Sequence, residues 1–415
     1  MGTGFKSGSQ SMIWFARFML STLVLFWFSA LVRAIRSRRD ERYRATEDTP
    51  GPEGNPRVAL VVPARNEERN IAGLVEGILQ QDYENITTVI LNDGSTDRTG
   101  ELLAAHHHEK NLNILEGGGG PLPDGWLGKA WACQRGAKFH IESDQPPEWL
   151  LFVDADVRLH PHAVTGVLGH AQRNELAMVS GLGNLVMESF WEKLLQPVVA
   201  GLIMAGNDLE KINDPENQDD RPLANGQFIL VRRDAYEAVG GHGAVRADVL
   251  DDVGMASAIT GAGFPYHLIF MRTLFDCRMY ASFGEIWEGW TKNMFAGMRH
   301  SWLNLIIVMC FLAWIALVPY LLCGWGLATG NTEWAIWGGG IATLIQLVRL
   351  WLDIQVGQDI RYGPTQPIGV TLVLMLLFHS GIRASRGTAE WKGRVVPVIK
   401  PESNPELLDD DSIQA

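Results

Sequence analysis

The sequence is poor in cysteine and has no cysteine pattern. Cys133, Cys277, Cys310 and Cys323 form no CxxC pair, which argues against a disulfide framework and against a cysteine zinc site. Such usage fits a reducing compartment, with these residues as small buried hydrophobes. Positive charge is also short. Lys and Arg number 35 against 47 Asp and Glu, a formal net charge of −12, which argues against nucleic acid as a partner. No GK[ST] follows the Gly117–Gly120 run, so it is a loop and not a phosphate cradle. Gly181-Leu182-Gly183 lacks the third glycine of a dinucleotide loop, since Val186 stands there. His106, His107 and His108 are adjacent, so on a helix they point in different directions and read as a solvated face. No internal repeat is visible.

What the sequence does have is long apolar runs at both ends and a soluble-looking middle. Its 415 residues exceed one ordinary core, so two or more units are expected. Residues 11–35 are apolar enough for an N-terminal anchor, with Arg17 near one end. The basic run that follows, Arg33, Arg36, Arg38, Arg39, Arg42 and Arg44, belongs on the cytoplasmic side. A cleavable signal peptide fits less well, because the apolar run is long and passes straight into those charges. Residues 45–56, rich in Pro, Gly and charge, read as a linker. After residue 300 come three apolar stretches, at 302–327, 334–352 and 367–382. The first two are long enough to span. The third is short and reads as interfacial, which keeps the basic residues Arg383, Arg386, Lys392 and Arg394 inside. The expected layout is an anchor with its basic stop at 1–40, a linker at 41–56 and a catalytic domain at 57–282. A juxtamembrane interfacial helix at 283–301, a transmembrane region at 302–383 and a cytoplasmic tail at 384–415 follow.

In the middle, strand-like and helix-like runs alternate. VALVV at 58–62, TTVILN at 87–92, WLLFVDAD at 149–156 and ELAMVSG at 175–181 read as strands. Ile71, Leu74, Val75, Ile78 and Leu79 recur at helical spacing. The alternation predicts an open, mostly parallel α/β sheet flanked by helices, whose ligands bind outside the carboxyl ends of the strands.

Those strand ends carry the polar residues. The first ends in Pro63-Ala64-Arg65-Asn66-Glu67, the second in Asn92-Asp93-Gly94-Ser95-Thr96-Asp97, the third in Asp154-Ala155-Asp156. Taken singly, these are turn and capping signals. Together they converge on one crevice. Alternate carboxylates on an extended segment point the same way and suit Mg²⁺ or Mn²⁺, which typically bridges a diphosphate and neutralises a leaving group.

Five ordered blocks carry a likeness: VVPARNEERNIAGLVEGILQQDY, LNDGSTDRTGELL, GWLGKAWACQRGA, LLFVDADV and LANGQFILVRRDAYEAVGG. Over roughly residues 57–300 the chain resembles family 2 glycosyltransferases, closest to the membrane-bound hopene-associated and carotenoid-associated members. FGEIWEGWTKN and the late WKGR are similar to those groups too. The resemblance implies a GT-A-type nucleotide-diphospho-sugar transferase fold, a nucleotide-diphosphate sugar as donor (uracil being the family's common base) and Mn²⁺ or Mg²⁺ as cofactor. It implies that Pro63, Arg65, Asn66 and Glu67 line the nucleotide pocket and that Asp93 holds the base. It places Lys129 near the diphosphate and makes Asp154 and Asp156 the metal pair. Asp252 becomes the catalytic base, with Asp251 its neighbour. Asn92 departs from the family's first acidic position. The helical spacing after Asp251-Asp252 puts that pair at a helix N-terminus, where capping would also suit it.

One base with no carboxylate nucleophile implies a single displacement with inversion. The stretch 283–302 mixes aromatics with Lys292, Arg299 and His300 and reads as an amphipathic helix lying on the membrane. Trp287, Trp290 and Trp302 look like interfacial anchors, with a sugar-stacking platform as the alternative. This suggests a multi-pass protein of the cell membrane, its catalytic domain cytoplasmic, serving a lipid acceptor. Two rivals differ in kind. A processive polysaccharide synthase would need more spans and a Gln-X-X-Arg-Trp motif, which Gly297–Trp302 does not match. An inactive tethered scaffold would show more erosion than Asn92 alone.

Overall fold

The computed structural model describes residues 4–39, 41–117, 121–205, 207, 209–214, 222–391 and 394–397. Its strands are β1 Val58–Ala64, β2 Ile86–Asn92, β3 Leu112–Glu116, β4 Trp149–Val153, β5 Val157–Leu159, β6 Met178–Leu182, β7 Asn184–Leu185, β8 Phe228–Arg232, β9 Tyr266–Phe270 and β10 Phe275–Cys277, with a late hairpin of β11 Thr388–Trp391 and β12 Arg394–Pro397. The helices of the middle region are α2 Ile71–Leu79, α3 Thr99–Ala104, α4 Gly128–Ile141, α5 Ala163–Arg173, α6 Phe190–Ala205, α7 Leu209–Ile212, α8 Arg233–Ala238 and α9 Asp251–Gly261. Before them runs α1, Gly4–Arg39. After them come α10 Phe283–Gly297, α11 Trp302–Ala316, α12 Val318–Thr329, α13 Thr332–Val356 and α14 Gln366–Ser385.

Seven strands form one twisted sheet in the order β3-β2-β1-β4-β8-β6-β9. β1, β2, β3 and β4 are mutually parallel where they pair, as the alternation of strand and helix predicts. β8 runs antiparallel between β4 and β6, so the sheet is mixed. β1 and β4 read as continuous apolar runs because helices cover both faces: five of the seven β1 residues from Val58 to Val62 are fully enclosed, as are Leu150 and Leu151. A smaller sheet, β5-β10-β7, sits beside the end of β4 and fixes the chain that follows Asp156. Gly181 and Gly183 pack against the Phe275 ring, which leaves no space for a β-carbon. That packing explains these glycines without a cofactor.

A second core joins α1, α6, α10, α11, α13 and α14, through Leu20, Leu23, Leu194, Ile286, Leu305, Ile345 and Leu376 among others. Among the described residues, two helices are long and apolar enough to cross a membrane: α13, and the run Ile360–Ser385 that contains α14. This differs from the sequence reading in two places. The 302–327 stretch is two short helices, because Pro319 at the start of α12 interrupts the run. The 367–382 stretch, expected to lie in the interface, is long enough to span, since the helix continues through Ser385 and is preceded by a 3₁₀ turn at Ile360–Thr365. α1 packs beside α13, where Arg17 pairs with Glu333 at 2.7 Å, and beside α11, where the Trp27 indole donates to the Ile315 carbonyl. Residues 398–415, most of the expected tail, lie outside the described residues.

α10 and α11 meet at an angle of 114°, with Arg299 and His300 in the left-handed region at the corner. The indoles of Trp287, Trp290 and Trp302 donate to His379, Gln196 and Ser385. They are ties between helices, where the sequence suggested interfacial anchors. The periodicity marks their face but does not name the neighbour that covers it.

Candidate active site

The crevice lies at the carboxyl ends of β1, β2 and β4. On one side, the loops after β1 and β2 are laced together. Arg65 donates to the carbonyls of Asp93 and Gly94 at 2.5 and 3.2 Å. Asn66 adopts a positive φ of 52°, which asparagine tolerates better than most residues. Its amide N–H donates to Ser95 Oγ, and its side-chain oxygen accepts from the Thr96 N–H. The Glu67 N–H donates to Thr99 Oγ1 at 2.7 Å, and Thr99 in turn donates to Asp97. Arg65, Asn66 and Glu67 therefore shape the pocket through loop-to-loop bonds, and Pro63 is paired in register with Leu91.

Asp93 is buried at the end of this side, its N–H bonded to the Ala64 carbonyl. Asn92 is buried beside it. The amide of Asn92 donates to Glu116 and its oxygen accepts from the Ser95 N–H. An asparagine can do both, whereas a carboxylate there would face Glu116 as a like charge. A β-carbon on Gly117 would stand 2.8 Å from Asp93 Cα, so the chain passes Asp93 as closely as a glycine permits.

The other side is charged. Lys129, at the start of α4, places its Nζ 2.7 Å from Asp154 Oδ1 and 3.9 Å from Asp251 Oδ1. Burial works against the Lys129 charge, but Asp154 and Asp251 outweigh it and raise its pKa well above the ordinary value. Asp251 opens α9, as the spacing indicated. Asp252 Oδ2 accepts from the Gly226 N–H and its Oδ1 from the Val253 N–H, both at 2.8 Å. Burial, and then the neighbouring Asp251 carboxylate, push the pKa of Asp252 up to about 6, which suits a general base working near neutrality. Space at Gly226 is tight: a β-carbon would lie 3.0 Å from Lys129 Nζ and 3.4 Å from Asp252. Asp154 is fixed through its N–H to the Gln227 carbonyl, so the short segment just before β8 holds both acids.

Asp156 stands two residues on, where the Arg278 N–H reaches its carbonyl and the Cys277 thiol hydrogen-bonds its side chain. The Arg278 guanidinium is clamped by Glu192 at 3.0 Å and by Glu188 at 2.5 Å. Glu192 is fully buried at the start of α6. Among the described residues no group of three or more His, Cys, Asp or Glu side chains could hold a metal ion. Two carboxylates are too few for a protein-only cage. They fit a hard cation that completes its shell with water and substrate phosphate, and the Lys129 ammonium against Asp154 shows that the position favours positive charge.

The structure thus gathers Lys129, Asp154, Asp251 and Asp252 at one point, with Asp93 across the crevice. The sequence reading missed Gly226, Cys277, Arg278 and Lys292. The first three lie just outside or inside quoted motifs, where only the three-dimensional neighbour reveals the role. Lys292 was assigned to a membrane-facing helix.

Residues 59–240 match the model of the family described as Glycosyl transferase family 2. Over 243 residues, 58% of this chain, the sequence is 27% identical to a 4,4'-diaponeurosporenoate glycosyltransferase of Staphylococcus aureus strain MRSA252. The match to the same protein of strain USA300 has the same extent and identity. The matched region covers 61% of those relatives, about three fifths of their length. A mannosyltransferase from Pyrobaculum calidifontis, solved in complex with GDP-Man and Mn2+, superposes with a TM-score of 0.50 at 15% identity, covering 88% of this chain and 97% of that one. The likeness shows the GT-A fold.

Proposed function

We propose, from the premise that residues 59–240 are a glycosyl transferase family 2 domain, that this chain moves a sugar from a nucleotide-diphosphate donor to a lipid acceptor at a membrane face. The observation that carries the reading is the convergence of Lys129, Asp154, Asp251 and Asp252 at the carboxyl edge of the sheet, next to helices that pack on apolar spans. The printed name of the curated relatives, a glycosyltransferase of a carotenoid acid, supports an isoprenoid-type lipid as acceptor.

In this mechanism Asp93 and the loops laced by Arg65, Asn66 and Glu67 seat the nucleoside, probed first as the uridine form. A Mn²⁺ or Mg²⁺ ion held by Asp154 and Asp156 supplies neutralisation of the diphosphate charge when bound. The acceptor hydroxyl oxygen forms a bond to the anomeric carbon as the bond from that carbon to the diphosphate oxygen breaks. The electron pair leaves with the diphosphate, and the hydroxyl proton passes to Asp252. Gly226 and Val253 N–H groups orient the Asp252 carboxylate for that transfer. Lys129 faces the departing charge. One displacement inverts the anomeric centre. The basic run at 33–44 supports a cytoplasmic catalytic domain in a multi-pass protein.

The test is release of nucleoside diphosphate by the purified protein in detergent with lipid extract, across a donor panel with Mn²⁺, Mg²⁺ or EDTA. Metal-dependent release from one donor with labelled lipid is the expected result. Release without lipid labelling, or long polymeric product, overturns the acceptor assignment.

A further inference from the structure

The sequence reads α10 as part of an amphipathic helix lying on the membrane, with Lys292 among its polar residues. α10 has two working faces. One is bonded to the helices behind it: the Phe295 N–H donates to Ser380 Oγ of α14 at 3.0 Å, and that hydroxyl donates to the Thr291 carbonyl. Trp287 and Trp290 bond to His379 and Gln196 on the same side.

The other face carries Glu285, Gly289 and Lys292, at i, i+4 and i+7, one stripe of a helix. Glu285 pairs with Arg69, from the loop after β1, at 3.3 Å. Gly289 lies against the Tyr280 ring, where a β-carbon has no space, and Tyr280 in turn lies within the field of Asp156 and Asp154. Lys292 continues the stripe one turn on, and its ammonium interacts electrostatically with Lys129, Asp251, Asp154 and Asp252. Burial, then the Lys129 ammonium, pull its pKa down to about 8 against the pull of those three acids.

A second ammonium at this place has a chemical use. Asp154, Asp156, Asp251 and Asp252 bring four carboxylates to the crevice, and Lys129 pairs with two of them, Asp154 and Asp251. A diphosphate that departs with an extra negative charge needs further cationic contact, and a buried ammonium supplies it without reorganising water. We propose that Lys292 is a further catalytic residue, a cation that α10 contributes to the leaving nucleoside diphosphate, so that the site is complete only with α10 seated on α14. This rests on the glycosyl-transfer reading.

The test measures nucleoside diphosphate affinity, with UDP and GDP as probes, alongside donor turnover in the full-length protein in detergent. The variants are Lys292→Met, Lys292→Gln and Lys292→Arg. Losing one charge-assisted contact is expected to weaken the preferred diphosphate about ten- to hundredfold in both neutral variants. Turnover falls at least as far, the acceptor KM stays near normal, and Lys292→Arg recovers much of both losses. Thermal unfolding checks that each variant is folded, and two neutral variants guard against loss of one. Unchanged diphosphate affinity in either folded neutral variant, or an effect confined to the acceptor KM, overturns the proposal. A wild-type protein that neither binds nor turns over any nucleotide sugar overturns instead the reading beneath it.

Discussion

The two walls of the crevice are fastened by different means. The wall proposed to seat the nucleotide, the nucleotide wall, is closed by hydrogen bonds among the Arg65 guanidinium, backbone groups, hydroxyls and an amide within residues 65–99. The opposite wall is closed by charge, with Lys129, Asp154 and Asp251 drawn from a helix, a strand end and the start of another helix. Hydrogen bonds between two neighbouring loops build a shape, with the Asp97 carboxylate held ionised by Thr99. Buried charges are costly to assemble, but they can move protons and stabilise a departing anion.

Four substitutions can break or sharpen that contrast. The largest effect is expected from Asp252→Asn, which should lower transfer about 10²- to 10⁴-fold while nucleoside diphosphate binding persists. In the wild type the base must be deprotonated, so turnover should be full above about pH 6 and fall as pH drops through it. A pH–rate profile without that limb would remove Asp252 from the role. Next, Gly226→Ala pushes a methyl between Lys129 and Asp252. Turnover should drop on the order of a hundredfold with the fold intact, because a small misplacement of reacting groups is expensive. Circular dichroism with steady-state kinetics separates the two.

On the nucleotide wall, Thr99→Val removes the acceptor of the Glu67 N–H and the donor to Asp97 in a fully buried site. Here stability should suffer more than chemistry, by about 1–3 kcal/mol, with the pH limb unmoved. Denaturant unfolding and the pH profile together check this. The smallest effect belongs to Arg69→Ala. Its partner Glu285 is 43% exposed, so the pair contributes about 0–1 kcal/mol. A melting temperature that drops sharply would show that this bridge seats α10.

Legibility in the sequence follows the same division. β1, β2 and β4 were readable because both their faces are buried and the runs are continuous, and their ends exposed the acidic clusters. Asn92 looked like erosion, and only its bonds to Glu116 and Ser95 show it to be a local fastening. The antiparallel insertion of β8 between β4 and β6 was not readable, since pairing order is a long-range choice that alternation does not encode. The break at Pro319 was present in the letters but was hidden by average hydropathy. Lys292 was misread for a deeper reason. Helical periodicity tells which residues share a face, and an amphipathic helix beside a membrane has two polar destinations: water, or an enzyme's interior.

α14 packs against α6, α10 and α11, and Gly369 lets it approach the Leu194 carbonyl closely. It is also the last of these helices to leave the ribosome. The sheet and its acidic loops can fold while α13 and α14 are still being translated, but the Ser380 hydroxyl that fixes α10 does not yet exist. On the function proposed above, synthesis order would work as a safety catch: a half-made chain would hold the crevice without the contacts that seat α10, and transfer would wait for the last apolar helix.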